Sequence, residues 1–476
     1  MKISEKIKND EIITLIKEHA KNYSGEVYLV GGIVRDFYLE KENFDKDIVV
    51  SKIDAEKFAK TLAKSIDATF IPLDEKNKIY RLVLKDKINC IDVAAMMGNT
   101  IEDDLKRRDL TINAIAINLN TLEIIDVTDG IKDLKEKKIR AICEQNFIDD
   151  PLRLLRVFRF EAMLGFEIDE NLMKIIIKHS KKVQEPAIER INYEFIKLFS
   201  GDFCDRTLIN MDKSRILQEI LPISQELKTV PPNLHHHLDL FSHSIESVKQ
   251  IQEIYEKSSP QVKEHLQKVD FGGATRLTHL KLAGFLHDIG KPDTWTIEEE
   301  TGRHRFIKHD DVGAKMGQTI LKKMKFSKKQ IEYICKMIKY HIYPSHVVAA
   351  PDINEKIYMR FVRKMESEAI DVIVLAMADR FSARGVEITE EIVQKNITNL
   401  QALLDFYLNI KETLKPLPKL LSGEEIMKIL NIKPSKELGN IIKSLQEAQL
   451  SGDITTKKQA TNYAKNCSEA NKKAQN

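Results

Sequence analysis

YLVGGIVRDFYL, residues 28–39, and FDKDIVV, residues 44–50, decide how this chain is read. An apolar run ends on Gly31-Gly32, and helical spacing starts near Ile33, so the order is strand, tight turn, helix. Glycines let the backbone approach a ligand closely, and the free N–H groups of a helix start attract phosphate. Arg35 falls in that first turn, where it adds charge-assisted bonds to a triphosphate. A Gly-Gly pair alone is more often an ordinary turn. FDKDIVV sharpens the case by placing Asp45 and Asp47 two apart at a strand start, both carboxylates on one face about 7 Å apart. Asp92 lies in a second apolar run, INCIDVAA (88–95), which can pair nearby. Three carboxylates on one sheet face repel one another without a cation. With two Mg²⁺ ions about 3.5–4 Å apart they form a site for in-line nucleotidyl transfer.

Outward from this stretch, EVYLV, DIVVS, ATFIPL, YRLVLK, NCIDVAA and LEIIDV read as strands, with helices at Asp54–Ser65 and Gly130–Lys138. Such alternation predicts an α/β head on a mixed sheet over residues 1–150. From Pro151 the strand signals stop and 3.6-residue periodicity takes over, which predicts an all-helical neck over 151–230. A His-rich helical domain follows over 231–405, and KPLPK (415–419) leads into a helical tail within 406–476. The fold class expected is α+β. The last residues, from about Asn466, read as a frayed end.

Length and composition agree with several domains. A chain of 476 residues exceeds one core. Its 42% hydrophobic and 31% charged residues mark a soluble, globular composition, and no apolar run approaches the ~20 residues that span a bilayer. Five dispersed cysteines without CxxC spacing argue against disulfides and zinc ribbons, so the cytoplasm is the expected compartment. Net charge is only +3, so any RNA footprint must be local. Lys106-Arg107-Arg108 and Arg153, Arg156, Arg159 are the local basic clusters.

In DLKRRDLTINAIAIN (104–118), Arg107, Arg108 and Asp109 can hold phosphate and ribose hydroxyls, with Thr111 and Asn113 supporting the turn. DDPLRLLRVFRF (149–160) comes next. Taken in order, GGxVRD, DxD, a third Asp, RRDxTxNA and DDPLRLLR resemble the class II tRNA nucleotidyltransferase and bacterial poly(A) polymerase family over about residues 25–200. The resemblance implies that Asp45 and Asp47 bind catalytic Mg²⁺ with Asp92 as third carboxylate. It also implies ribose selection around Arg108 and Asp109. Asp150 and Arg153 would read the Watson–Crick edge of the incoming base, Asp accepting from cytosine N4 and Arg donating to its acceptors. The family motif begins with Glu where this chain has Asp149. Arg156 and Arg159 are expected to face phosphate, and Glu189-Arg190-Ile191 to serve structurally. The partners implied are tRNA, CTP and ATP.

Only fourteen residues, 93–106, separate Asp92 from Arg107. Family members that add the complete CCA end, or only A, resemble one another in a much longer loop here, which switches the pocket from C to A. The short segment therefore predicts a CC-adding enzyme working in series with a separate A-adding one. A poly(A) polymerase is the alternative, disfavoured by the absence of a long basic C-terminal extension.

The His-rich region carries HHHLDLFSHSIESV, LAGFLHDIGKP, FIKHDDVGA, MIKYHIYPSH and VLAMADR in order. A His-Asp pair joined by a remote His and a remote Asp binds a divalent metal through nitrogen and oxygen. These are His287 and Asp288, with His243 and Asp379, while His309 and His341 permit a second metal. The run His235 to His237 is assigned no role. The pattern resembles the HD phosphohydrolase superfamily over about 235–385, implying metal-activated water that attacks a phosphoester. The ligand set does not discriminate Mn, Mg, Ni or Fe. LSGEEIMKILNIKPSKELGN, residues 421–440, resembles the tail of HD-containing family members. A second alternative is an enzyme acting chiefly through its HD site.

Overall fold

The structure, a computed structural model, describes residues 3–233, 237–351, 353–385, 387–411, 418–450 and 452–473. His235 and His236 of the histidine run, and residues 415–417 of the expected linker, lie outside the described residues. The chain forms two compact units, Met1–Pro222 and Ile223–Asn476.

The first unit is built on seven strands: β1 (Glu26–Val30), β2 (Asp45–Ser51), β3 (Thr69–Asp74), β4 (Ile79–Val83), β5 (Cys90–Ala95), β6 (Ile115–Asn118) and β7 (Ile124–Asp126). Their order is β3-β4-β5-β2-β1-β6-β7. Only β2 and β5 run parallel, and the other neighbours are antiparallel, so the sheet is mixed as expected. All six expected strands form. β6 is additional, and it lies in the IAIN segment, whose motif points to nucleotide binding rather than to a strand. Alternation buries Leu29, Ile48, Ile91, Val93 and Ile117 within the sheet. Helix Ala55–Ser65 starts where the Asp54 side chain accepts from the Lys57 N–H, and it buries Phe58 and Leu62 against β4 and β5.

Beyond Asp150 the unit is helical, led by Leu152–Leu164 and Ile188–Phe199, which pack on each other. The neck is not wholly helical: Lys138–Ile139 and Glu167–Ile168 pair as a short parallel ladder. Two residues per strand leave no periodicity to detect, which is why sequence patterning does not reveal it.

The second unit centres on helix Ala369–Ser382, buried on every side from Ala369 to Ala378. It is flanked by Leu240–Lys257, Arg276–Leu286, Lys328–Tyr340 and Glu390–Ile410. Buried Asp371 ties it to Arg276–Leu286, to Lys328–Tyr340 and to the short helix Pro260–Gln267. It accepts from the Tyr333 hydroxyl at 2.7 Å and from Arg276 Nη2 at 2.9 Å, and it pairs with His265 Nε2 at 2.7 Å. A hairpin of Trp295–Ile297 with His304–Phe306 interrupts the helices, a second departure from the all-helical expectation. The tail helices Gly423–Leu430, Lys436–Leu450 and Lys457–Lys473 bury Ile426, Ile441, Leu445, Ala460 and Ala464 among themselves. The last helix runs to Lys473, with Ala460 and Ala464 buried in its first half.

Candidate functional site

The parallel β2–β5 pairing sets the first site. Its register puts Asp47 opposite Asp92 and Asp45 opposite Cys90. The intervening Lys46 points to the other face, buried, with its ammonium 3.2 Å from Asp10. Asp45 and Asp47 thus share the open face, as their spacing predicted. Gly31 has φ +68°, a left-handed conformation that favours glycine, and a side chain there would crowd Arg108 Nη1 at 3.1 Å and Asp47 Oδ2 at 3.4 Å. Burial first, then the neighbouring Asp92 and Asp45, push the Asp47 carboxyl up to about 6, against the Arg108 guanidinium and the Gly32 N–H. An ionised Asp47 here is a carboxylate short of positive charge. That is the electrostatic condition a divalent cation relieves, and all-oxygen donors suit Mg²⁺.

Asp92 is engaged elsewhere. Arg81 of β4 stands opposite it in register and donates to both of its oxygens at 2.7 Å. Among the described residues, the three carboxylates do not converge on one point as the ligands of the second unit do. Arg81 was missed in the sequence because only cross-strand register brings it to Asp92.

The basic segment is held by buried acids. Asp104, fully buried, accepts from Arg107 at 2.8 Å, from Arg108 at 3.0 Å and from the Met97 N–H at 3.1 Å. The connection from β5 to helix Ile101–Lys106 is only residues 96–100, closed by a capping box between Thr100 and Asp103. Arg35 donates to the Asn113 amide oxygen at 2.8 Å. Asp109 was expected at ribose or phosphate. It lies in the wall of the same cavity, largely buried, and accepts from Arg156 Nε at 2.7 Å. Burial works to raise its pKa, but the Arg156 charge overrides this and holds it at about 2. Arg156 and Arg159 were expected to face phosphate. Arg159 donates to Glu194 at 3.1 Å and Arg156 Nη1 lies 3.8 Å from the same carboxylate, so both are internally paired. Asp104 and Glu194 were also missed, since nothing in composition singles out a buried acid. Its signal was the need of clustered arginines for counter-charges.

Asp150 has extended backbone between helices Gln145–Asp149 and Leu152–Leu164, a break that Pro151 enforces. Its carboxylate lies 3.9 Å from Arg153 Nε and 3.3 Å from Arg190 Nη2. Arg153 is anchored on the Arg107 carbonyl at 2.8 Å. Gly31, Gly32, Arg35, Asp45, Asp47, Asp92, Arg108, Asp109, Asn113, Asp150, Arg153, Arg156 and Arg159 all line one cavity of about 910 Å³. The structure therefore brings these residues together, while Thr111 stands apart, donating to buried Asp133 at 2.6 Å. Arg190, expected to be structural, lines the cavity too.

In the second unit the five expected segments converge. His243 Nε2 lies 3.2 Å from His287 Nε2, 3.2 Å from Asp379 Oδ1 and 3.4 Å from Asp288 Oδ2. Asp288 Oδ1 lies 3.3 Å from His309 Nε2 and 3.5 Å from His341 Nε2. His243, His287, Asp288 and Asp379 form one candidate metal group, and Asp288, His309 and His341 a second, sharing Asp288. The Nδ1 atoms of His287, His309 and His341 pair with the carbonyls of Gly284, Phe306 and Ile338 at 2.6–2.8 Å. Those bonds turn each Nε2 inward, as metal-ligating imidazoles require. Gly290 lets the His-Asp turn lie against the start of His309–Lys323, since a Cβ there would sit 2.2 Å from the His309 carbonyl. Burial lowers the His287 pKa, but Asp288 and Asp379 outweigh it and raise it to about 10. Lys291, from the same HDIGKP segment, places its ammonium 2.6 Å from Asp288 Oδ2.

Residues 27–140 match the poly A polymerase head domain, 165–227 the probable RNA and SrmB-binding site of polymerase A, and 240–384 the HD domain. The chain is 29% identical to an A-adding tRNA nucleotidyltransferase of Deinococcus radiodurans, covering 93% of this chain and 95% of that one. It is 28% identical to a CC-adding tRNA nucleotidyltransferase of Thermus thermophilus, covering 91% and 92%. The fold matches the Thermotoga maritima CCA-adding enzyme complexed with tRNA at TM-score 0.55 and 21% identity, over 98% of both chains. No helix among the described residues is long and apolar enough to cross a membrane.

Proposed function

The chain belongs to the tRNA nucleotidyltransferase and bacterial poly(A) polymerase family with an HD domain, and from that premise we propose that it extends tRNA 3′ ends with CMP. The observation that carries this is the register of Asp47 against Asp92, with Asp45 on the same face, inside a cavity shared with Asp150 and Arg153. Asp45 and Asp47 hold Mg²⁺. The chemistry an ion held there would supply is positive charge for the attacking 3′-hydroxyl and for the leaving pyrophosphate. Arg35 and Arg108, beside the Gly31-Gly32 turn, orient the triphosphate. Asp92 keeps Arg81 aimed at the same face. Asp109 acts through Arg156, which it fixes in the cavity wall, and Asn113 through Arg35. Asp150 accepts from cytosine N4 while Arg153, immobilised on the Arg107 carbonyl, donates to the ring acceptors.

We read the product as CC. The connection over residues 96–100 is short, and four of its N–H groups are tied down, Met96 to the Val50 carbonyl, Met97 to Asp104, and Asn99 and Thr100 to Asp103. A segment fixed to the acid that positions Arg107 and Arg108 has no slack to remodel the base pocket for adenine. A separate A-adding enzyme would complete the end. The division into head (1–150), neck (151–230), HD domain (231–405) and tail (406–476) goes with this reading.

The HD cluster supports a second activity, hydrolysis of a phosphoester by metal-activated water, with His243, His287, Asp288 and Asp379 holding one ion and His309 and His341 completing a second site with Asp288. Asp47→Ala is expected to abolish nucleotide addition and spare metal-dependent phosphatase activity, while His287→Ala does the reverse. Loss of both activities from either change, in a protein whose melting curve is intact, would contradict two independent sites.

A further inference from the structure

Helix Ile188–Phe199 turns one face inward, burying Ile191, Glu194, Phe195 and Leu198. Arg190, Tyr193 and Lys197, at i, i+3 and i+7, lie along the cavity instead. Tyr193 is 54% exposed, although aromatic residues make up only 7% of the chain. Lys197 Nζ lies 5.1 Å from its ring centroid, and Arg190, one turn back, reaches Asp150 at 3.3 Å. Met163, 40% exposed, lines the same cavity. This is an aromatic face between two cations beside the residues that read the incoming base. Single-stranded nucleic acid is held by that combination, bases stacking on rings while cations follow the backbone.

Geometry selects the occupant. The incoming nucleotide reaches from Asp150 and Arg153 toward Asp47 and Arg108. The attacking 3′-hydroxyl must meet it at Asp45 and Asp47, so the acceptor's last base lies beside the incoming one, along the cavity edge. We propose that Tyr193 is the stacking platform for the terminal base of the RNA acceptor, with Arg190 and Lys197 flanking its backbone. The assignment rests on the nucleotidyltransferase reading above. Stacking is indifferent to base identity, which suits an acceptor whose last base changes with each addition.

The test uses the full chain, CTP, Mg²⁺ and a tRNA acceptor-stem RNA carrying 2-aminopurine as its terminal nucleotide. Tyr193→Ala should raise KM for the RNA roughly 5- to 150-fold, the range for losing one stacked base, with KM for CTP unchanged. Tyr193→Phe should recover the wild-type value. Binding should quench 2-aminopurine fluorescence in the wild type and in Tyr193→Phe but not in Tyr193→Ala. Unchanged RNA KM and quenching in Tyr193→Ala would overturn the proposal, as would a rise confined to the KM for CTP. Wild-type protein that extends no tRNA would instead bring down the functional reading on which this one stands.

Discussion

Asp47→Asn should make the protein more stable while abolishing nucleotide addition. The Asp47 carboxyl is held at about 6, against an ordinary 3.8. A raised carboxyl means that the native state binds the proton more tightly than the unfolded chain. Stability therefore falls as pH rises from about 4 to 6 and stays at its lower level above that. At about 1.36 kcal/mol per pH unit the gap amounts to ~3 kcal/mol, and solvent reaching the cavity reduces it to roughly 1–3 kcal/mol. Asn copies the protonated, neutral form and so recovers that energy at neutral pH. For a unit of 222 residues, this is a rise in Tm of roughly 2–10 °C. The assay is thermal melting of both proteins in EDTA at pH 7.5, 6 and 4. The advantage of the variant should shrink through pH 6 and vanish near 4, and Mg²⁺ should stabilise only the wild type. A variant no more stable than wild type at pH 7.5 in EDTA would refute the claim that the site is short of positive charge.

Asp371→Asn should destabilise the second unit by ~3–5 kcal/mol, because buried Arg276 loses its bidentate carboxylate, keeping Asp270 at its edge, and Tyr333 and His265 lose their anionic partner; calorimetry should show the first unit's transition unmoved. Asp104→Ala should raise KM for CTP more than KM for tRNA in steady-state kinetics, since Arg107 and Arg108 lose the buried acid that fixes them. Metal content measured by mass spectrometry should separate the two HD groups. Asp288→Asn should empty both, whereas His309→Ala should leave the group of His243, His287 and Asp379 loaded.

How much of this was legible depends on where each signal resides. The strand–turn–helix at Gly31-Gly32 and the pairing of Asp45 with Asp47 are local, so periodicity and spacing revealed them. The HD ligands could also be read, because each sits at or near a helix end marked by His or Asp in an apolar setting. Arg81 was invisible, since its bond to Asp92 exists only through the antiparallel β4–β5 register. Asp104 and Glu194 were invisible for a related reason. A buried acid is recognised by the arginines around it, and those come from separate turns and helices. The mutual pairing of Asp109, Arg156 and Arg159 with Glu194 was hidden for the same reason. Sequence located them at the site, but only packing shows that they satisfy one another and shape its wall. The short strands at Lys138, Glu167, Trp295 and His304 are set by tertiary contact alone.

The most direct test offers the protein, with Mg²⁺, three tRNA transcripts ending at the discriminator base, at C and at CC, each with CTP, ATP or both. Product lengths are then read on a gel. Two cytidines are expected on the first transcript, one on the second and none on the third, with no adenosine added to any. A completed CCA end would overturn the argument from the tied-down segment at residues 96–100. Transcripts left unextended under every condition would contradict the central claim itself.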